Sequence, residues 1–428
     1  MNSKSLASLF RLLGRVIGAG WGAALSGVLL FISLRIFTTE LDSETFGIAM
    51  LVLGMLALVD GISTMAFGQV LALLLKDRES GPERQALALG LARLLVPILA
   101  SLSVIAVLVC WATLGAASAG QLAIIAIPFC LTEGLRGAAQ MLALLDRRYA
   151  IISGWTAAEA AATLAFSLVA IRFTAGAPIA LLLGGMSARI LLALVGSCLV
   201  MGGPSAWRAD RAGARAVRPQ ALAFGWSVAA MAPLGWLGSF SDRYVVGATV
   251  GLGPAGILAA LSGAAMKPYS VVSAGLTNLF RPDILDQTAG REPVHRRPLR
   301  LWLCLAFGIG LAGVGAFWML GDAIAGWLIR FPTPGTDAGT LLVLIAVSQL
   351  LVIMTHPFDN VLLAAGRSRS LLMVQLVVLV GGIPLIAYGA MQFGIIGAAL
   401  GRVANEGAKL LVAAALVCMG RNGRLGAI

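Results

Sequence analysis

The sequence predicts an all-α integral membrane protein with about twelve transmembrane helices, and three observations predict this fold class. Hydrophobic residues occupy 59% of the 428 positions and charged residues only 12%, about half of the charged share that is usual in globular proteins. Apolar runs recur along the whole chain, and most could cross about 30 Å of hydrocarbon at 1.5 Å per residue. The connections between them reach about 20 residues at most, which is too short for a folded soluble domain.

Twelve apolar runs are predicted to span the membrane. They cover residues 14–37, 46–75, 87–113, 121–145, 151–173, 178–201, 220–248, 254–280, 299–320, 339–363, 370–390 and 394–418. A cleavable signal peptide is not expected, because the first run is long and glycine-rich and no small-residue cleavage site follows it.

Basic residues are distributed unequally between the two sides of the predicted bundle. If the N-terminus is cytoplasmic, the inner segments hold 21 of the 31 Lys and Arg residues, and the outer loops hold only Arg172 and Arg330. By the positive-inside rule, both termini are expected to be cytoplasmic. The formal charge of +12 is then a topology signal, and no nucleic-acid partner is expected.

Metal, disulfide and cofactor chemistry is not expected. The five cysteines all lie inside predicted spans without a CxxC spacing, and the chain has only two histidines. Such cysteines are typical of small apolar packing residues.

The chain divides into two predicted lobes of six spans, residues 1–210 and 211–428, at the most basic loop (202–219). A weak repeat supports this division. Arg35 precedes a polar turn and Gly47 at the start of the second span, and Arg243 precedes a turn and Gly256 at the start of the eighth. Parallel repeats of this kind place a transport site near the membrane midplane, between the halves.

Fourteen charged residues are predicted to lie within spans. The basic ones are Arg35, Arg93, Arg136, Arg189, Arg243, Lys267, Arg402 and Lys409, and the acidic ones are Asp60, Glu133, Glu159, Asp242, Asp359 and Glu406. Each would cost at least about 2.5–3.5 kcal/mol at a helix centre facing lipid, so they should face protein or a water-filled cavity.

Three groups of residues, one in the fourth span and two in later spans, favour a polar cavity. Glu133 and Arg136 are i and i+3 on one helix face, where they form either a neutralised structural pair or part of a site. Arg402 and Lys409 flank Glu406 on one face of the last span, which leaves one positive charge over. Lys267 lies mid-span before a proline that can kink the helix, and we expect it to line the cavity.

Asp60 and Glu159 stand alone among apolar residues. Either they bind a coupling proton or cation, or they pair across helices with Arg93 or Arg189. At the outer ends of their spans lie Arg35, which either extends to the outer interface or lines the cavity, and the neighbours Asp242 and Arg243, which we interpret as a structural or outer-gate pair.

Several segments resemble the Wzx-type polysaccharide flippases of the multidrug/oligosaccharidyl-lipid/polysaccharide exporter superfamily. They are "ISLRIFTTELDSETFGIAMLVLGMLALVDGIS", "SDRYVVGATVGLGPAGILAALSGAAMKPYS", "LLALLDRRYAI", "VLLAAGRSRS" and "GIIGAALGRVANEG". The resemblance implies two six-helix lobes that form a MATE-like V around a central cavity. It also implies an undecaprenyl-diphosphate-linked oligosaccharide as the substrate, moved from the cytoplasmic to the periplasmic leaflet of a bacterial inner membrane.

The resemblance further implies roles for individual residues. Candidates for binding the substrate diphosphate are Lys267, Arg136, Arg189 and Arg402. Candidates for ion coupling or gating are Asp60, Glu133, Glu159 and Glu406. We expect a monomer in contact with membrane lipid, coupled in function to a polysaccharide polymerase and chain-length proteins.

Two alternatives remain open at this point. A multidrug antiporter of the same superfamily would favour an acidic cavity, whereas embedded basic residues here outnumber acidic ones by eight to six. A membrane polysaccharide polymerase or ligase would carry a large catalytic outer loop, and the longest one here, about 321–338, offers only Asp322, Arg330 and Asp337. We therefore do not expect an enzyme.

Overall fold

A computed structural model describes residues 3–75, 81–114, 116–174, 179–203, 208, 210–289, 296–330, 337–365 and 367–421. These residues form twelve α-helices and one π-helical segment, and no strand is found among them. The helices are α1 (Ser3–Glu40), α2 (Ser43–Asp60), α3 (Phe67–Leu75), α4 (Pro82–Leu114), α5 (Ala116–Leu145), α6 (Tyr149–Phe173), α7 (Ile179–Met201), α8 (Arg211–Thr249), α9 (Leu252–Ala289), α10 (Arg296–Leu328), α11 (Ala338–Ala364) and α12 (Ser368–Arg421).

Each of the twelve predicted spans overlaps a helix. The helices differ from the predicted spans in two places. The second predicted span is made of α2, a π-helical turn (Gly61–Ala66) and α3. The last two predicted spans are both in α12, which is broken by non-helical backbone at Phe393 and Gly394. Within the described residues, nine helices are long and apolar enough to cross a membrane, and the segment Arg369–Met419 among them has 51 residues, enough to cross twice.

Aspartates define where two of the helices begin. The carboxylate of Asp42 accepts hydrogen bonds from the backbone N–H of Glu44 and Thr45, at 3.0 and 2.9 Å. Asp337 is the N-cap of α11 and accepts from the backbone N–H and the hydroxyl of Thr340, at 3.0 and 2.5 Å. Hydrogen bonds to an ionised carboxylate stabilise its charged form, so the threonine contacts lower the pKa of both aspartates.

The chain packs as two compact units. Unit 1 comprises Met1–Ser33 and Ile48–Trp236, and unit 2 comprises Leu34–Gly47 and Leu237–Ile428. These units differ from the predicted lobes 1–210 and 211–428 in two places. Residues 34–47, between α1 and α2, belong to unit 2, and the first two-thirds of α8 belong to unit 1.

One helix is central in each unit. In unit 1, α5 packs against α3, α4, α6, α7 and the π-helical turn. In unit 2, α11 packs against α9, α10 and α12. These two helices are the fourth and tenth predicted spans, which are equivalent positions in a six-span repeat.

The two glycines that marked the predicted repeat pack against each other in unit 2. A Cβ built on Gly256 would lie only 3.0 Å from the Cα of Gly47, and one built on Gly47 would lie 2.0 Å from the carbonyl oxygen of Leu252. Only glycine permits backbones to approach this closely. The repeated glycine therefore allows the start of α2 to contact the start of α9.

Unit 1 contains two separate apolar clusters. One is built from Val52, Leu56, Val59, Ile62, Leu99, Ala126, Phe129, Cys130, Leu182 and Met186. The other contains Phe67, Leu71, Leu75, Leu87, Leu142, Trp155, Val200 and Met201, among others. Along α5 and α7, and from α2 to α3, the chain passes from one cluster to the other. Five charged residues of unit 1 lie at this passage.

Candidate functional site

The candidate site in unit 1 is a cluster of five charged side chains between the two apolar clusters. We call it the unit-1 cluster, and its members are Asp60, Glu133, Arg136, Glu159 and Arg189. They come from the end of α2 and from α5, α6 and α7.

Arg136 contacts all three carboxylates of the unit-1 cluster. Its Nε donates to Glu133 Oε2 at 3.1 Å, and its Nη1 donates to Glu159 Oε2 at 3.3 Å. Its Nη2 forms an ion pair with Asp60. The side chain is only 6% exposed, and a guanidinium is the side chain best suited to hold several carboxylates in a fixed geometry.

Arg189, on α7, contacts the same three carboxylates as Arg136 on α5. Its Nη2 donates to Asp60 Oδ1 at 2.9 Å and lies 3.1 Å from Glu133 Oε1, and its Nε lies 3.3 Å from Glu159 Oε1. The guanidinium also lies over the ring of Phe129, 5.4 Å from its centroid, in a cation–π contact.

The π-helical turn shapes the cluster from one side. It begins directly after Asp60, and its Ser63 hydroxyl donates to Glu133 Oε2 at 3.3 Å. A Cβ on Gly137 would lie 2.4 Å from the carbonyl oxygen of Ser63, so α5 packs directly on the backbone of the turn. Such π-helical turns are uncommon and are frequent at functional sites.

The cluster has one more negative charge than positive charges. Three carboxylates share two guanidiniums, which gives a formal charge of −1 when all five are ionised. Glu133 is 1% exposed, whereas the Asp60 side chain is 39% exposed. Asp60 is therefore more accessible than Glu133 within the cluster.

Sequence reasoning predicted part of this cluster. The Glu133–Arg136 pair forms as expected from its spacing, and Asp60 and Glu159 do pair across helices with Arg189. Arg93, the other partner considered, has an exposed side chain on α4 and takes no part in the cluster. Ser63 was missed, because a lone serine in an apolar run carries no distinguishing signal.

Unit 2 holds a second set of charged residues, which we call the unit-2 row. It consists of Asp242, Arg243, Lys267, Asp359, Arg402, Glu406 and Lys409. Arg402, only 2% exposed, forms an ion pair with Asp242 and donates to the carbonyl oxygen of Ser239 at 3.4 Å. The sequence neighbours Asp242 and Arg243 form no ion pair between their side chains among the described contacts. The backbone N–H of Arg243 donates to Asp242 Oδ1 at 2.9 Å.

The far end of the unit-2 row lies between α11 and α12. His356 and Asp359 lie on α11, and Glu406 and Lys409 lie on α12, which packs against α11. His356 Nδ1 and the hydroxyl of Ser273 are 2.5 Å apart. The formal charge of the row is +1, since four cations face three carboxylates.

Arg35, predicted at the outer end of its span, caps another helix of unit 2. It donates to the carbonyl oxygen of Trp327 and lies 5.4 Å from the centroid of that ring. Thr38, one turn later, donates to the carbonyl oxygen of Leu328 at 2.6 Å. Together they satisfy the last carbonyls of α10, where a cation also favours the helix dipole.

Solved structures with the same fold cover nearly the whole chain. A lipid II flippase, MurJ, in an inward closed conformation has a TM-score of 0.71 at 12% identity, over 93% of this chain and 86% of that one. The MATE transporter VcmN of Vibrio cholerae has a TM-score of 0.65 at 16% identity, over 98% and 99% of the two chains. A transporter from Pyrococcus furiosus described as having a binding pocket of reverse polarity has a TM-score of 0.66 at 11% identity, over 96% of both.

The chain has the fold of the MOP-superfamily transporters. This fold and the apolar helices make it a multi-pass membrane protein. No protein-family model matches the sequence, and no curated protein matches it.

Proposed function

We propose that this chain is a Wzx-type flippase. It moves an undecaprenyl-diphosphate-linked oligosaccharide repeat unit from the cytoplasmic to the periplasmic leaflet of a bacterial inner membrane, by alternating access. The observation that carries the proposal is the surplus positive charge of the unit-2 row, and the similarity of the fold to that of a lipid II flippase supports a lipid-linked cargo.

A positive surplus suits an anionic headgroup. Burying an uncompensated cation is costly. A cation that is kept within a membrane span therefore indicates a binding or transport role. A diphosphate provides oxygens that replace the hydration lost by Arg and Lys. Lys267 and Arg402 remain candidates for this contact, whereas Arg136 and Arg189 are already bound by the three carboxylates of the unit-1 cluster.

The unit-1 cluster provides the proposed coupling site. Taking up one proton or one monovalent cation brings its formal charge from −1 to zero, and the partly exposed carboxylate of Asp60 is where that ion would bind. Glu133 and Glu159 share the same two arginines, so neutralisation at Asp60 redistributes hydrogen bonds among α5, α6 and α7. Glu406, on α12, belongs to the other unit and is a gating candidate there.

The topology and partners follow from the same proposal. Both termini are cytoplasmic, the flippase acts as a monomer without a cofactor, and its product feeds a polysaccharide polymerase with its chain-length proteins.

The test is a transport assay in reconstituted vesicles with a fluorescent lipid-linked oligosaccharide. Lys267→Ala should reduce transport at least tenfold without reducing insertion. Arg93→Ala, which removes an exposed arginine outside both charged sets, is the matched control and should transport normally. Equal transport by the two variants would show that Lys267 is not part of the site. Absence of transport by the wild-type protein would refute the proposed substrate.

A second candidate function is a multidrug antiporter. The negative surplus of the unit-1 cluster suits a cationic drug, and MATE transporters share the fold. Expression in a drug-sensitive host distinguishes the two: a raised tolerance to cationic drugs that is lost in Asp60→Asn favours the antiporter.

A further inference from the structure

The first two turns of α8 present three arginines on one side of the helix. Arg211, Arg215 and Arg218 are four and three residues apart, a spacing that places them on one helix face, and all three are exposed. In the part of the chain that the structure describes, none of them forms an ion pair. We call these three residues the basic face.

An adjacent side of the same turns is packed against unit 1. Ala214 is 1% exposed and, with Val217, belongs to the second apolar cluster of that unit. The backbone N–H of Asp210 donates to the carbonyl oxygen of Ala86 on α4, at 2.8 Å. A Cβ built on Gly90 would lie 2.3 Å from the carbonyl oxygen of Asp210, so the start of α8 lies directly on α4. The basic face is therefore carried by a helix that is fixed to its unit.

The carboxylates described on neighbouring segments do not neutralise the basic face. Asp210 Oδ1 accepts a hydrogen bond from the backbone N–H of Gly213 at 2.7 Å, as the N-terminal cap of a helix does. Asp146, after α5, pairs with Arg84 at 3.1 Å. Glu83, in the first turn of α4, is exposed and forms no ion pair within the described residues. Three cations on one face are thus left without a described counter-charge.

The basic face lies just outside a predicted membrane span. The seventh predicted span begins at residue 220, and α8 continues through Pro219 into it. At 1.5 Å per residue, Arg218 lies about 3 Å and Arg215 about 8 Å before the span begins. The headgroup layer extends roughly 5–8 Å beyond the hydrocarbon on each side of a bilayer, and the long side chain of Arg211 can extend to that layer. The three guanidiniums therefore lie at the depth of the lipid phosphates.

We infer that the basic face binds the anionic phospholipid headgroups of the adjoining leaflet, which is the cytoplasmic one in the proposed topology. The positive-inside rule requires basic residues on one side of the membrane, but it does not require them on one face of a packed helix. Guanidiniums bind phosphate oxygens in a fixed geometry, and clusters of basic residues next to a span attract anionic lipids.

This inference goes beyond the proposed function, because it concerns the phospholipids of the bilayer and not the transported cargo. It holds equally for a flippase and for a multidrug antiporter. Transport assays and lipid-binding assays can therefore fail independently of each other.

The test counts the lipids bound to the purified full-length protein in detergent by native mass spectrometry. Phosphatidylglycerol is the anionic probe, and phosphatidylcholine is the zwitterionic one. The wild-type protein should bind phosphatidylglycerol more tightly than phosphatidylcholine. The triple variant Arg211→Gln/Arg215→Gln/Arg218→Gln should bind phosphatidylglycerol on the order of a hundredfold more weakly, about fivefold for each arginine, and its binding of phosphatidylcholine should not change.

A matched triple variant controls for the loss of net charge. Arg297→Gln/Arg300→Gln/Arg369→Gln removes three exposed arginines from the starts of α10 and α12, so its net charge falls by the same amount. It should bind phosphatidylglycerol like the wild-type protein. An equal loss of binding in the two triple variants would show a general effect of charge and would overturn the inference.

A charge-preserving variant guards against an altered topology or fold in the glutamine variant. Arg211→Lys/Arg215→Lys/Arg218→Lys keeps all three cations and should retain most of the binding of phosphatidylglycerol. Binding as weak as that of the glutamine variant would show that the positive charge does not hold the lipid. Equal binding of the two lipids by the wild-type protein would also overturn the inference, and binding of a poly-glutamate peptide in that case would assign the basic face to an acidic protein segment instead.

Discussion

Removing Arg136 should destabilise the protein more than removing the carboxylate of Asp60. Arg136→Gln leaves three carboxylates with one guanidinium, so the formal charge falls from −1 to −2 around Glu133, which is 1% exposed. Asp60→Asn leaves two carboxylates and two guanidiniums, so the cluster becomes neutral. The difference arises because the cluster is already one cation short.

The magnitude follows from the burial of the group. Removing one partner of a buried ion pair costs about 3–5 kcal/mol, because the other charge is left uncompensated. We expect that cost for Arg136→Gln, whose side chain is 6% exposed and contacts three carboxylates. For Asp60→Asn, at 39% exposure, the loss of hydrogen bonds to charged groups sets an upper limit of about 1.5–3 kcal/mol.

The assay is denaturant unfolding of the purified protein in detergent. Arg93→Gln is the control for removing an arginine, and its free energy of unfolding should lie within about 0.5 kcal/mol of the wild-type value. The double variant Arg136→Gln/Glu133→Gln restores a formal charge of −1 and should be more stable than Arg136→Gln alone. A further loss of stability on adding the second substitution, or an equal loss in Asp60→Asn and Arg136→Gln, would show that charge balance does not set the stability of the cluster.

Two further predictions concern local structure. Asp337→Ala should lower the free energy of unfolding by about 1 kcal/mol, because α11 loses its N-cap. The hydrogen bonds from Thr340 lower the pKa of Asp337, so this stabilisation should be complete above the pKa of the unfolded state and disappear as the pH falls through the lower pKa of the folded state. Unfolding of the wild-type protein and the variant between pH 2 and about 6 will measure it. Gly137→Ala should displace the π-helical turn, because the new Cβ would lie 2.4 Å from the carbonyl oxygen of Ser63; we expect faster amide hydrogen exchange over residues 61–66 than in the wild-type protein, and unchanged exchange would show that α5 can shift instead.

Features that depend on helix period and hydrophobicity could be predicted from the sequence. The twelve apolar runs match the helices because hydrocarbon requires every backbone group to be bonded within its own helix. The Glu133–Arg136 pair was found for the same reason, since residues three apart on a helix lie on one face. Neither inference needs any knowledge of how helices pack.

Contacts between helices could not be predicted in this way. The sequence left Asp60 to pair with Arg93 or Arg189, and only the rotation of α4 and α7 decides between them. It also suggested Asp242 and Arg243 as a pair because they are adjacent, whereas adjacent residues on a helix point about 100° apart. Asp242 could therefore meet Arg402 on α12 while Arg243 turned toward Phe240 and Met266.

The break in α12 has a consequence for how the protein is made. Chain reversal at Phe393 and Gly394 brings the two halves so close that a Cβ on Gly397 would lie 1.9 Å from the carbonyl oxygen of Gly389. With Gln392 as the one polar side chain at the turn, neither half ends in a polar loop that could stay in water while the other half inserts. We expect the two halves of α12 to enter the bilayer together during synthesis, as one preformed helical hairpin.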